Sequence, residues 1–269
     1  MERFLYRLSK SHYADNFVLK GALMLTVWEA PLTRPTMDID LLGRIDNRVE
    51  TMVAVTREIC RQDVDPDGID FDIATIEAER IAEDADYEGI RVRFRGSLDT
   101  ARIVLQLDIG FGDIVIPSPE PTNYPTLLDF PAPRIRGYSR ESTIAEKFES
   151  MVKLGILNSR MKDFFDIWLM SRQFNFDGAT LAEAISKTFS TRGTTIQPDP
   201  VALTNDFAED PTKAAQWRGF VRKSRLVDVP QNLVEVVTGI AAFLRPIAQR
   251  LVAGDVFKGT WKAPGPWRQ

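Results

Sequence analysis

The sequence predicts an α/β (α+β) protein in which a mixed-sheet core is followed by a helical second half. Three observations support this expectation. Segments up to residue 109 alternate apolar and polar side chains, a proline- and glycine-rich stretch follows, and beyond residue 140 apolar side chains recur at helical spacing. The expected division is residues 1–133 and residues 134–269.

In chain order, residues 2–12 place Phe4, Leu5 and Leu8 on one face of a short amphipathic helix. Phe17 to Leu19 reads as a buried strand entering a tight turn at Lys20-Gly21, and Ala22 to Trp28 as an apolar helix ended by Pro31 and Pro35. Met37 to Leu42 alternates carboxylate and apolar residues as a strand, and residues 47–62 fit a helix. Three further strands are expected at Ile69–Ile76, Gly89–Phe94 and Ala101–Ile109. Prolines and glycines between Gly110 and Pro133 mark a connector without periodicity. Helices follow at Glu141–Leu154, Lys162–Arg172, Thr180–Phe189, Thr212–Lys223 and Gln231–Val252, the last kinked or split by Pro246. The tail from Gly259 to Gln269, with two tryptophans, reads as a surface strap.

Composition narrows the function. With 34 Lys and Arg against 38 Asp and Glu, the net charge of −4 offers no general attraction to nucleic acid, although local basic patches stay open. One cysteine, Cys60, forbids an internal disulfide, and one histidine, His12, leaves zinc too few of its usual ligands. No apolar run reaches the ~20 residues that span a bilayer, and Met1-Glu2-Arg3-Phe4 does not open a signal peptide. A cytoplasmic, reduced protein that contacts no membrane is therefore expected. The acids Asp63, Asp65, Asp67, Asp70 and Asp72 suggest a calcium loop, but Pro66 and the missing terminal Glu argue against it.

Asp38-Ile39-Asp40 is the sharpest chemical feature. Strand residues two apart point the same way with Cα atoms ~7 Å apart, so the two carboxylates can share divalent ions. Alone, the pair equally suits a solvated strand edge. The turn Lys20-Gly21-Ala22 precedes it, and small residues there let backbone N–H groups approach phosphates. Asp108, at the end of a later strand, is a plausible third ligand. That order suggests metal-dependent phosphate chemistry. Arg91, Arg93 and Arg95 share a strand face, and Arg218, Arg222, Lys223 and Arg225 form a basic patch beside Trp217. Either group suits RNA phosphates or simply a solvated face.

Phe17 to Ala22 followed by Arg34 to Leu41 resembles the first motif of the AbiEii/AbiGii toxin nucleotidyltransferases, within the DNA polymerase β-like superfamily. Leu105–Asp113, Ala145–Phe148 and Asn158–Asp166 are similar to the remaining motifs, in order. The family often has a second Gly or a Ser where this chain has Ala22. The resemblance implies a polymerase β-like core in residues 1–133 and a helical domain completing the active-site cleft in residues 134–269. It implies Asp38, Asp40 and Asp108 as metal ligands for magnesium, or alternatively manganese. Lys20, Gly21 and Ala22 would lie at the nucleotide, with Lys147 facing the triphosphate and Lys162, Asp163 and Asp166 near nucleotide or acceptor. Without the resemblance, Arg160, Lys162, Asp163 and Asp166 read equally well as a surface ion-pair network.

The activity so implied is transfer of NMP from an NTP to the 3′ end of tRNA, which stops translation within a toxin–antitoxin or phage-abortive-infection system. A cognate antitoxin is the implied partner. Three alternatives remain: NMP transfer to a protein hydroxyl, a nucleotide-binding regulator without transfer activity, and a metal nuclease using the same carboxylates.

Overall fold

A computed structural model describes residues 1–30, 34–84 and 87–268, the side chains of 82–84 and 87–88 excepted. Pro31 and Gln269 lie outside the described residues. The chain divides into two units, Met1–Asp113 with Ser118–Tyr138 and Ile114–Pro117 with Ser139–Gln269.

The first unit begins with α1 (Glu2–Lys10), β1 (Phe17–Lys20), α2 (Leu23–Val27), β2 (Asp38–Gly43) and α3 (Val49–Cys60). It continues with β3 (Ile69–Asp84), β4 (Tyr87–Leu98), β5 (Ala101–Phe111), β6 (Glu120–Asn123) and β7 (Arg134–Gly137). These strands form one mixed sheet in the order β3-β4-β5-β2-β1-β7-β6. β2 runs parallel to β5 and β1 parallel to β7, while β1 and β2 are antiparallel. Alternation gives the sheet two unlike faces. Ile39, Leu41, Val92, Phe94, Leu105 and Leu107 are buried on one, with Phe4 of α1 packed 5.4 Å from the Phe94 ring. Asp38, Asp40, Gln106, Asp108, Arg91 and Arg93 occupy the other.

Several expectations are corrected here. β3 runs on from Ile76 to Asp84, with a register shift between Asp72 and Glu77. Its exposed stretch Glu77–Arg80 has no apolar alternation to read, yet it pairs with Arg93 to Ile90 through backbone hydrogen bonds that no side-chain pattern encodes. The proline-rich connector contributes β6 and β7, and β7 joins the sheet beside β1. β6 tolerates Pro121 because an edge strand can spare a ladder donor. Asp108 sits inside β5, not at its end, because pairing with β2 extends to Phe111. Asp67 serves α1: it accepts from Arg7 at 2.6 and 3.0 Å and from Arg3 at 3.1 Å.

In the second unit, α4 (Arg140–Leu154), α5 (Met161–Gln173), β8 (Phe176–Asp177) and α6 (Gly178–Thr191) are followed by α7 (Asn205–Glu209), α8 (Pro211–Lys223) and α9 (Leu233–Val252). β9 (Thr260–Trp261) and β10 (Trp267–Arg268) complete a small sheet in the order β10-β9-β8. Caps explain several starts: Ser139 accepts from Ser142 N–H, Asp177 from Thr180 N–H, and Asn232 from Val234 N–H. Pro246 does not split α9, which continues unbroken while Ile240, Phe243, Leu244 and Ile247 stay buried on one stripe. That packing offsets the hydrogen bond a mid-helix proline removes. The tail is more than a surface strap. Trp261 is buried and donates to Ser171 O at 2.6 Å, and Trp267 donates to Phe243 O at 2.8 Å. Trp217, expected beside a basic RNA-facing patch, is also core and donates to Pro230 O, while Arg218, Arg222, Lys223 and Arg225 are exposed.

Candidate active site

Asp38 and Asp40 project from alternate positions of β2, whose intervening Ile39 is fully buried and anchors the strand. The parallel register sets Asp40 beside Asp108 and Asp38 beside Gln106. The antiparallel register on the other side sets Lys20 beside Asp40, and the next strand sets Arg91 beside Asp108. A single row of the sheet therefore reads Lys20, Asp40, Asp108, Arg91. A cavity of about 30 Å³ lies along it, lined among others by Lys20, Asp40, Asp108 and Gly110.

Each member of the row has a local partner. Lys20 donates from Nζ to Asp113 at 2.9 Å and lies 5.1 Å above the Tyr138 ring. Arg91 grips Asp108 with two bonds, Nε to Oδ1 at 2.8 Å and an Nη2 donor to Oδ2 at 2.7 Å. The Asp108 hydrogen bond is the main reason the Arg91 guanidinium is raised above its ordinary pKa, with Asp38 adding a smaller attraction. Arg93 is occupied by Gln106 at 3.0 Å and Glu79 at 2.9 Å.

Gly21 has a structural role at this site. Its φ is +72°, and a Cβ built there would lie 2.0 Å from Asp40 Oδ2. The glycine permits the left-handed turn from β1 into α2 and leaves the volume that the Asp40 carboxylate fills. Ala22 is buried at the start of α2.

Among the described residues, no three His, Cys, Asp or Glu side chains already form a group able to hold a metal ion. Asp108 shares the row with Asp40, but its carboxylate is turned to Arg91. Asp38 and Asp40 do match the way magnesium-like ions bind, through one or two carboxylates with phosphates and water completing the shell.

The other motif residues cluster within the second unit. Lys147 on α4 lies 2.7 Å from Asp163 and 2.8 Å from Asp166, both on α5 and each with a side chain 2% exposed. Arg160 adds a contact to Asp163 at 3.0 Å. The network is thus buried rather than superficial, and Lys162 is exposed and outside it. Glu146 and Glu149 bind Arg192 at 3.3 and 3.0 Å, a cross-link from α4 to the end of α6 that sequence spacing did not reveal. The Arg91 grip on Asp108 was missed as well, although the alternation of Arg91, Arg93 and Arg95 was its signal.

No helix among the described residues is long and apolar enough to cross a membrane. No curated protein matches the chain. Two solved Helicobacter pylori structures are similar: a candidate nucleotidyltransferase with 16% identity and TM-score 0.49, covering 94% of each chain, and JHP933 with 16% identity and TM-score 0.48, covering 94% of this chain and 90% of that one. Residues 3–237 match the family model of the nucleotidyl transferase AbiEii toxin of type IV toxin–antitoxin systems, and the chain belongs to that family.

Proposed function

We propose that this toxin transfers NMP from an NTP to the 3′ end of tRNA, with magnesium or manganese as the divalent ion, and so blocks translation until a cognate antitoxin intervenes. The observation that supports this most directly is the common sheet face of Asp38, Asp40 and Asp108 on adjacent parallel strands, with Asp40 directly beside Asp108. In the reaction, the acceptor hydroxyl oxygen bonds to the α-phosphorus, the bond to the leaving phosphate breaks, and pyrophosphate departs. A bound divalent ion would neutralise phosphate charge. The roles proposed for the chain follow from that chemistry. Asp38 and Asp40 hold the ion, and Asp108, exchanged from Arg91, completes the ligand set and takes the hydroxyl proton. Backbone at Lys20-Gly21-Ala22 faces the phosphates, and alignment supplies most of the rate. Lys147 is assigned to NTP use, with Asp163 and Asp166 orienting it; Lys162 is assigned to nucleotide contact.

The test is labelled NTP, each of the four bases in turn, offered with total tRNA and separately with cell protein. Label is expected in tRNA, released with pyrophosphate. Asp38→Ala and Asp40→Ala should each lower transfer by ~100-fold or more, several kcal/mol of lost charge stabilisation, and relieve growth inhibition with an unchanged melting curve. Full activity in either variant overturns the assignment. Label in protein instead of tRNA replaces the acceptor.

A further inference from the structure

The end of the second unit forms a cleft of about 630 Å³ between the start of α6, the end of α9 and the small sheet. That volume is typical of a ligand site. Its lining is strongly biased in charge: Arg250, Lys258, Lys262 and Arg268 face a single carboxylate, Asp177. In a chain of net charge −4, this is a local reversal of sign.

The strand pattern explains the convergence. Thr260 pairs with Asp177 on one side and with Arg268 on the other, so these three form a row across the small sheet. Lys258 and Lys262 lie just beyond the two ends of β9 and both line the cleft, while Trp261 is buried. Asp177 is already spent as the cap of α6, its carboxyl held low chiefly by the Thr180 N–H. Arg250 is paired with Asp255 at 2.9 Å. Lys258, Lys262 and Arg268 have no ion pair among the described residues and are exposed.

The cleft also has an aromatic wall. Phe257 lines it, half-buried, with its ring edge-on to Trp267 at 5.0 Å. The support beneath is rigid: Gly178 donates to Gly259 O at 2.8 Å, and a side chain at Gly178 would collide with Phe257 at 2.7 Å. Three cations spread along and across the small sheet, Lys258 and Lys262 four residues apart and Arg268 on the next strand, suit successive phosphates better than one phosphate group. Cations tracking a backbone beside a stacking ring are the recognition pattern for single strands.

We infer that this cleft binds single-stranded nucleic acid through its phosphates, with Phe257 stacking on a base. Its lining shares no residue with those assigned to the transfer chemistry above. The experiment is fluorescence anisotropy of the full chain with a fluorescein-labelled ten-nucleotide single-stranded RNA, and separately with a fluorescent ADP analogue. Lys258→Gln/Lys262→Gln/Arg268→Gln should weaken the RNA at least ~10-fold and flatten its salt slope by ~2, given ~0.7 per lost single-strand phosphate contact. Phe257→Leu should weaken it several-fold with the slope retained. Asp38→Ala should bind the RNA as the unaltered chain does, which separates failure here from failure of the transferase reading. Melting curves confirm that the variants are folded. Equal RNA binding by the triple variant, or none by the unaltered chain at low salt, overturns the inference. Tighter binding of the ADP analogue than of the RNA, lost in the triple variant, overturns the strand assignment in favour of a free nucleotide.

Discussion

Asp38 and Asp40 in the first unit and Asp163 and Asp166 in the second are both close carboxylate pairs, yet their surroundings differ. The first pair stands on alternate positions of a strand, half-buried, with a small cavity beside Asp40. The second pair is nearly inaccessible and closes around the ammonium of Lys147, with Arg160 as a further cation. The strand carboxylates are half-buried, and Asp40 lines that cavity together with Lys20 and Asp108. A carboxylate locked against an internal cation holds two helices together, and its charge is largely cancelled. The same residue type therefore stands half-buried on a strand face in one unit and joins two helices in the other.

That contrast is open to direct attack. Lys147→Ala leaves two buried carboxylates facing each other without their ammonium, and loss of one partner from a buried ion network costs ~3–5 kcal/mol. A denaturant titration should show that loss, and Lys147→Met combined with Asp166→Asn should recover part of it. Apparent NTP affinity of Lys147→Ala is then read below its lowered melting point. A stability change under ~1 kcal/mol would erase the contrast between the two pairs.

Gly21→Ala tests the first unit. The new methyl group would meet Asp40 Oδ2 at 2.0 Å in a backbone conformation that costs ~1–3 kcal/mol for a residue with a side chain. Both melting temperature and transfer should fall, transfer by more than ~10-fold, because the displaced group is a proposed ligand. Retained transfer alongside reduced stability would show that Asp40 reaches its position without the glycine.

Arg91→Ala is expected to have the smallest effect on the fold, ~1 kcal/mol or less, since the pair with Asp108 is partly exposed. Its value lies in the metal titration. If Arg91 occupies Asp108 in competition with a cation, the variant should bind magnesium more tightly by calorimetry in the absence of NTP. Weaker binding would mean that Arg91 orients Asp108 instead of withholding it.

How much was legible in advance differed by element. The strand carrying Asp38 and Asp40 could be read because Ile39 and Leu41 alternate with the acids, and the helices because Phe148, Met151, Phe164 and Ile167 recur at the right spacing. β6 and β7 could not be read: four-residue strands among prolines, held by backbone bonds to each other and to β1, leave little periodicity. The outer half of β3 was hidden for the same reason, Glu77, Glu79 and Arg80 being exposed and free of any burial requirement. Lys162 illustrates a limit of motif spacing, since it adjoins Asp163 in sequence yet is exposed while its neighbour is buried.

The sequence by itself determined the order of the long helices and the longer strands, the shared face of Asp38 and Asp40, and the family, because these depend on residue type and short spacing. The tertiary structure alone decided which partner each charge finds: Arg91 for Asp108, Lys147 for Asp163 and Asp166, and a vacant side of the small sheet for Lys258, Lys262 and Arg268. Those pairings join residues distant in the chain through strand register and helix packing, and the electrostatic energy of a charge depends on what surrounds it in space.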